Sequence, residues 1–176
     1  MKNKKNTKKE GKYMKYTTTL STPIGQITLT EENNQITNLQ INQHPKATTT
    51  TTKETPTKLL KEATTQLNEY FSGTRKIFNL PLNPKGTPFM QRVWKELLKI
   101  PYGEVTTYKQ IATKIQNPKA SRAVGMANHK NPIPILIPCH RVIGSNKKLV
   151  GYALGLDTKE YLLNLEKDNL NKKTTN

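Results

Sequence analysis

The chain has 176 residues, a hydrophobic fraction of 33%, and a formal net charge of +17 from 29 Lys and Arg against 12 Asp and Glu. That length allows one large domain or two small ones sharing a core; no apolar run approaches the ~20 residues of a bilayer span and no signal peptide is visible, so a cytoplasmic protein is expected. A single cysteine excludes an internal disulfide and a cysteine-rich zinc site, while the charge favours polyanionic partners, nucleic acid ahead of an acidic membrane surface.

Residues 1–12, "MKNKKNTKKEGK", are a charge run without apolar periodicity and are expected to form a disordered basic tail. From Tyr13 the pattern alternates, which predicts two or three short antiparallel strands. Their turns fall at Thr22-Pro23-Ile24-Gly25 and Glu32-Asn33-Asn34. The threonine run at 48–52 is low in complexity and is expected to be a loop. Leu59, Leu60, Ala63, Leu67, Tyr70 and Phe71 then recur at helical spacing over about 57–72, with Gly73 as the stop. "KIFNLPL", 76–82, is expected to add a strand. "LNPKG", 82–86, divides an N-terminal α/β domain (13–84) from a second domain (85–170), and a tail follows at 171–176.

Thr87-Pro88 is an N-cap followed by proline at the first helical position. It opens a helix through about Leu98 with Phe89, Val93, Trp94, Leu97 and Leu98 as the buried stripe. "PYGEV" turns the chain, and Thr107 to Gln110 fit a capping box for a short helix with Ile111, Ala112 and Ile115 inward. Asn117-Pro118 repeats the N-cap and proline signal for a helix carrying Ala120, Ala123, Val124 and Ala127, with Arg122 in its first turns. Two short helices so close together suggest a helix-turn-helix. Many all-helical domains share that pattern. The 14 Lys and Arg against 6 acids within residues 85–170 tip it towards DNA.

The one thiol, Cys139, lies in "NPIPILIPCHRVIGS", residues 131–145. A free cysteine after an apolar run is ordinarily a small core residue. Prolines at 132, 134 and 138 nevertheless forbid a regular strand or helix, and His140 and Arg141 are groups able to take a proton from a thiol or stabilise a thiolate. In an extended backbone the side chains of Cys139 and His140 would point to opposite faces. Either the chain turns sharply there or a water relays the proton. The residues by themselves leave a core cysteine and a reactive thiol both open.

"GTPFMQRVW", "IPYGEVTTYKQIA", "NPKASRAVG", "IPCHRVIGS" and "GYALGL" follow one another between about Gly86 and Glu166. In this order and spacing they resemble the O6-alkylguanine-DNA alkyltransferases, the methylated-DNA–protein-cysteine methyltransferases. The resemblance implies an α+β fold, with an N-terminal α/β domain of ribonuclease-H-like shape before a helical, winged-helix-like domain containing a helix-turn-helix. It implies a monomer that binds double-stranded DNA containing alkylated bases and flips the damaged nucleotide, without a cofactor or metal. Cys139 would accept the alkyl group from O6-alkylguanine, with O4-alkylthymine as a further substrate class. His140 would be its base through a water, and Glu166 would orient that histidine. Tyr108 matches the tyrosine that helps rotate the target phosphate and donates to the departing base. Arg122 matches the arginine that fills the gap in the base stack, with Ala123 and Gly125 beside it against DNA. Asn131 matches the asparagine bracing the turn into the active-site loop.

The same resemblance places Val142, Tyr152 and Ala153 in the alkylguanine pocket, where the Cys139 and Val142 carbonyls would read the guanine amino group. Many members carry Arg-Trp where this chain has Ala153-Leu154; the contact there is from backbone, so the difference bears on pocket size and hence on methyl against bulkier alkyl groups. Some relatives hold zinc in the N-terminal domain, but the cysteines for it are absent here and His44 and His129 offer no substitute. Three rivals remain: an alkyltransferase-like lesion-binding module, which would lack the cysteine; a cysteine hydrolase, which would need an oxyanion hole; and a plain transcription factor.

Overall fold

A computed structural model describes residues 14–42 and 56–171. The basic tail at 1–12, His44, the threonine run at 48–52 and residues 172–176 lie outside the described residues, and Asn171 is the last residue of a helix rather than the start of a tail. The fold is mixed: a small sheet with one helix, then a helical portion.

Three antiparallel strands, β1 (Lys15–Thr22), β2 (Gly25–Glu32) and β3 (Gln35–Asn42), form a sheet in sequence order. Both expected turns are present. Asn33 and Asn34 take left-handed φ values of 53° and 59°, which matches the right-handed twist of a two-residue hairpin. In β2 the side chains Ile27, Leu29 and Glu31 lie on one face as the pleat requires, and Thr30 on the other face is buried as well. A bulge opposite Thr30 and Glu31 gives β3 an extra residue, so Leu39 (facing Leu29) and Ile36 (facing Glu31) reach the same core face despite their odd spacing.

Helix α1 (Lys58–Phe71) packs on this sheet through Leu60, Ala63, Leu67 and Tyr70. Thr57 caps its start by accepting from Leu60 N at 3.1 Å, and the Thr57 hydroxyl donates to buried Glu31. At its end Gly73 adopts φ +79°, with Gly73 N donating to Tyr70 O and Thr74 N to Glu69 O, the paired bonds of a glycine-closed helix.

Residues 76–82 do not form the expected strand. Ile36 and Leu82 make a single parallel bridge, through Ile36 N to Pro81 O (2.8 Å) and Asn83 N to Ile36 O (2.9 Å). Prolines at 81 and 84 remove the donors that would extend the ladder. The segment is pinned instead by the buried Gln66 amide of α1, whose Oε1 accepts from Asn79 N at 2.9 Å.

Helix α2 (Pro88–Leu97) starts at the expected Thr87 cap, which accepts from Met90 N. Val93, Trp94 and Leu97 are buried and Phe89 is half-buried, but Leu98 is 51% exposed. The capping residue keeps helical φ/ψ and its N–H donates to Trp94 O at 3.2 Å, yet its side chain is left uncovered. A two-residue strand β4 (Thr106–Thr107) leads into α3 (Tyr108–Lys114), whose capping box between Thr107 and Gln110 is complete in both directions. Helix α4 (Ser121–His129) begins three residues later than the Asn117-Pro118 signal places it. Those residues form a turn instead, closed by Ala120 N to Asn117 O at 2.9 Å, with proline at the second position where its fixed φ suits a turn equally well. Helices α2, α3 and α4 pack together, and Trp94 Nε1 donates to Ala127 O at 2.8 Å, joining α2 to α4. The short strand β5 (Val142–Ile143) pairs in parallel with β4, and α5 (Leu156–Asn171) closes the chain.

The two portions meet directly, because Leu39 N at the edge of β3 donates to Pro132 O in the cysteine segment at 2.9 Å. Trp94→Phe removes the bond that joins α2 to α4 and leaves the Ala127 carbonyl unpaired; it is expected to lower stability by about 2 kcal/mol, measured by urea unfolding.

Candidate active site

Residues 133–143 are buried without interruption although they contain no helix or strand longer than three residues. Such a segment needs partners for its backbone polar groups. Asn131 supplies two, since its Oδ1 accepts from Ile133 N at 3.0 Å and its Nδ2 donates to Ile137 O at 2.8 Å. Asn128 Nδ2 donates to Cys139 O at 3.2 Å. Ile135 is held at φ +73°, a conformation strained for a β-branched residue and retained here within a fully packed loop.

Pro138 then makes an inverse γ-turn (φ −80°, ψ 64°), with Cys139 N donating to Ile137 O at 2.8 Å. Cys139, His140 and Arg141 form one 3₁₀ turn. The chain therefore turns sharply there rather than running extended. Successive side chains in such a turn are about 120° apart rather than opposed, so the thiol faces a cavity while the imidazole turns inward.

His140 is fully buried, and its Nε2 lies 2.7 Å from Glu166 Oε1 on α5. Glu166, also fully buried, collects several donors. Arg141 reaches it through Nε (2.9 Å to Oε2) and Nη2 (3.0 Å to Oε1), Gly103 N donates to Oε2 at 2.9 Å, and the Tyr70 hydroxyl donates to Oε1 at 2.7 Å. Burial alone would push this carboxyl up, but the hydrogen bonds and charges of His140 and Arg141 outweigh it and bring it to about 2. Arg141 does not face the thiol, contrary to the sequence expectation. Its Nη1 donates to Ile100 O at 2.7 Å and its guanidinium sits 5.6 Å from the Tyr102 ring. Because Arg141 already neutralises Glu166, burial holds His140 below its ordinary 6.5 despite the adjacent carboxylate. A neutral imidazole facing an ionised carboxylate must present Nε2–H, which leaves Nδ1 as the basic nitrogen.

Burial pushes the Cys139 thiol above its ordinary value, opposed by Asn131, Tyr152 and the charge of Lys159. Lys159, on α5, is fully buried and donates to Val142 O at 2.6 Å and Val150 O at 3.1 Å. Burial brings it down to about 8, against the pull of a Cys139 thiolate. The Tyr152 hydroxyl makes no hydrogen bond of ordinary geometry, yet it faces Cys139 closely enough that burial and the thiolate together hold it well above 10. Tyr108, half-buried, donates to Val150 O at 3.1 Å.

A cavity of about 420 Å³ opens beside Cys139, with Asn128, Asn131, Tyr152, Ala153 and Leu154 in its wall and the edge of β3 opposite. Among the described residues, four buried side-chain polar atoms have no partner: Thr37 Oγ1, Asn128 Oδ1, His140 Nδ1 and Tyr152 Oη. Three of the four belong to residues touching or adjoining Cys139. Buried polar atoms are ordinarily satisfied, and their concentration at one thiol marks a place built for a polar ligand. The Cys139 and Val142 carbonyls, expected to read a base, already have partners: Cys139 O accepts from Asn128 Nδ2 and from Val142 N, and Val142 O accepts from Lys159 Nζ. No group of three or more metal-ligating side chains occurs among the described residues, and His129 is exposed.

The structure thus brings Cys139, His140, Glu166, Asn131, Tyr108, Val142, Tyr152 and Ala153 together. Arg122 and Ala123 lie apart, exposed on α4, and Gly125 is half-buried with its Cα facing the Tyr108 ring. Tyr70, Asn128 and Lys159 were missed as site residues. Buried Lys159 carried a signal only in retrospect, on the same face of α5 as Leu162 and Glu166.

Residues 14–84 match the family model of the 6-O-methylguanine DNA methyltransferase ribonuclease-like domain, and residues 88–168 match the DNA binding domain of the same family. The chain is 49% identical over 159 residues to the constitutive methylated-DNA–protein-cysteine methyltransferase of Bacillus subtilis (strain 168), covering 88% of this chain and 96% of that one. It is 60% identical over 113 residues to the methylated-DNA–protein-cysteine methyltransferase of Methanosarcina barkeri, covering 64% and 72%. Among solved structures it resembles the O6-methylguanine methyltransferase of Mycobacterium tuberculosis, with a TM-score of 0.77 and 45% identity over 89% of this chain and 94% of that one. The M. tuberculosis protein in complex with DNA gives a TM-score of 0.75 at 47% identity, covering 86% and 92%.

Stability should follow the buried His140–Glu166 pair. His140 titrates lower in the folded chain than its unfolded 6.5, so stability is complete above about pH 6.5 and declines below it as the folded state resists protonation. Glu166, lowered from 4.5 to about 2, adds a second loss as pH falls from 4.5 through 2. Thermal unfolding followed across this range is expected to show both declines.

Proposed function

The chain belongs to the methylated-DNA–protein-cysteine methyltransferase family, and on that premise we propose that it repairs DNA by transferring the alkyl group of O6-alkylguanine irreversibly onto Cys139. The observation that carries this is the buried thiol in a cavity wall, next to a histidine whose Nδ1 is unpartnered and whose Nε2 is held by a buried carboxylate.

With its ionisation suppressed by burial, Cys139 needs a base at the moment of reaction. The thiol proton passes through a water to His140 Nδ1, and Glu166 stabilises the imidazolium that forms. The sulfur attacks the alkyl carbon as the bond from that carbon to guanine O6 breaks, and the electron pair leaves with the oxygen. Guanine then takes up a proton, for which the Tyr108 hydroxyl is the donor. Lys159 supplies positive charge beside the developing thiolate. The product is a thioether without an easy leaving path, so one molecule acts once and needs no cofactor. O4-alkylthymine presents the same alkyl–oxygen bond and falls within the same chemistry.

The target oxygen is shielded inside a duplex, so the nucleotide must be extruded into the cavity. We assign α3 and α4 to a helix-turn-helix that holds the duplex, with exposed Arg122 entering the stack and Ala123 and Gly125 allowing close approach to the backbone. The loop from 82 to 86 separates the two domains in this assignment. The protein acts as a cytoplasmic monomer.

Intact-mass analysis after mixing with an oligonucleotide containing O6-methylguanine is expected to show one added methyl at Cys139 and none in Cys139→Ala. Lesion binding without modification would favour the binding-module reading, and repeated turnover the hydrolase. Arg122→Ala should weaken lesion binding at least about tenfold, and log affinity should fall linearly with log salt.

A further inference from the structure

Tyr70 lies on α1 in the N-terminal portion, 96 residues from Glu166 in sequence, yet its hydroxyl donates to Glu166 Oε1 at 2.7 Å. That is the same oxygen approached by His140 Nε2 at 2.7 Å, and the Tyr70 oxygen itself lies 3.5 Å from Nε2. Tyr70 is fully buried, and its ring is fixed among Phe71, Phe78 and Tyr102 at centroid separations of 5.4, 5.3 and 6.0 Å. We infer that Tyr70 is a positioning residue of the alkyl-transfer site: its single hydroxyl proton sets how strongly Glu166 draws on His140, and so the pH at which His140 can act as base.

The proton count carries the inference. An ionised carboxylate only accepts, so Oε1 takes hydrogen bonds from Tyr70, from Arg141 Nη2 and from His140 Nε2. Each donor disperses the carboxylate charge, and each reduces the pull that Glu166 exerts on an imidazolium. With Tyr70 donating, His140 stays neutral and Nδ1 keeps its lone pair. Without it, the same carboxylate faces His140 with less of its charge dispersed and favours the protonated ring. The other charged and titratable groups around the histidine are Arg141 on the same turn, Lys159 on α5 and the Cys139 thiol. Tyr102, which packs against both Tyr70 and Arg141, does not touch Glu166; its hydroxyl oxygen accepts from Asn169 Nδ2 at 3.4 Å. Tyr70 is thus the sole hydroxyl contact to this carboxylate among the described residues. It makes the N-terminal portion part of the site rather than only its support.

The inference builds on the alkyl-transfer proposal, but its primary test is independent of that activity. In full-length protein labelled with ¹⁵N-histidine, Tyr70→Phe is expected to raise the His140 titration midpoint by roughly half a unit to one unit. Tyr102→Phe, which deletes a neighbouring hydroxyl that does not touch Glu166, should leave it in place. Replacing Tyr70 with 3,5-difluorotyrosine, a stronger donor of the same shape, should move the midpoint downwards, and it serves if the phenylalanine variant folds poorly. In single-turnover methyl transfer, Tyr70→Phe should slow the reaction about three- to tenfold on the acid limb and leave the plateau rate unchanged. An unmoved His140 midpoint in both Tyr70 variants overturns the inference, whatever happens to melting temperature. A shifted midpoint in a protein that accepts no methyl group would uphold the coupling and sink the alkyl-transfer proposal instead.

Discussion

One carboxylate organises this molecule. Glu166 accepts from Tyr70 of α1, Gly103 of the turn before β4, His140 and Arg141 of the 3₁₀ turn, and itself belongs to α5. Four otherwise separate pieces of chain therefore depend on a single buried negative charge. Such a charge is tolerated only when fully surrounded by donors and matched by a cation, and Arg141 provides the match. The requirement propagates outward. Gly103 must take a left-handed turn (φ +78°) to aim its N–H at Glu166, and a side chain there would meet Leu170. Tyr70 must be held upright by three neighbouring rings, and Arg141 must give up the thiol for the carboxylate.

The division of charge explains how, in the proposed reaction, a resting thiol and a base could coexist. Had Arg141 faced Cys139, the thiolate would be stabilised permanently and the buried Glu166 left without a counterion. Burial and the engagement of Arg141 with Glu166 favour a neutral His140, and burial favours a protonated Cys139, so in the proposed reaction the nucleophile would form only as the proton moves. Lys159 contributes the remaining positive charge from behind, its ammonium fixed on the Val142 and Val150 carbonyls and flanked by the Tyr108 and Tyr152 rings at 5.9 and 5.8 Å. Holding that loop with a buried lysine also fixes the wall of the cavity that Tyr152 and Ala153 line.

Where local chemistry decides an outcome, the sequence was readable. The Asn33-Asn34 turn, the Thr87 cap and the Thr107–Gln110 capping box need only neighbouring residues, and each is found where expected. The failures are equally specific. Residues 76–82 have strand-like composition, but Gln66 and the edge of β3 claim their backbone groups, and prolines block the rest. Asn117-Pro118 can open a helix or a turn, and packing of Val124 and Ala127 into the core sets where α4 begins. Leu98 follows the helical path of the stripe, but no tertiary neighbour among the described residues covers it.

The sequence by itself determined the family, the order of the elements, and the candidate thiol with its neighbouring histidine, because proline spacing and contiguous motifs survive as linear signals. Tertiary structure alone decided which groups meet at the carboxylate. Tyr70, Gly103, His140 and Glu166 are far apart in the chain, and no local preference records that they share one buried charge. Their convergence follows from the desolvation of Glu166, a property of the folded interior that a linear string does not contain.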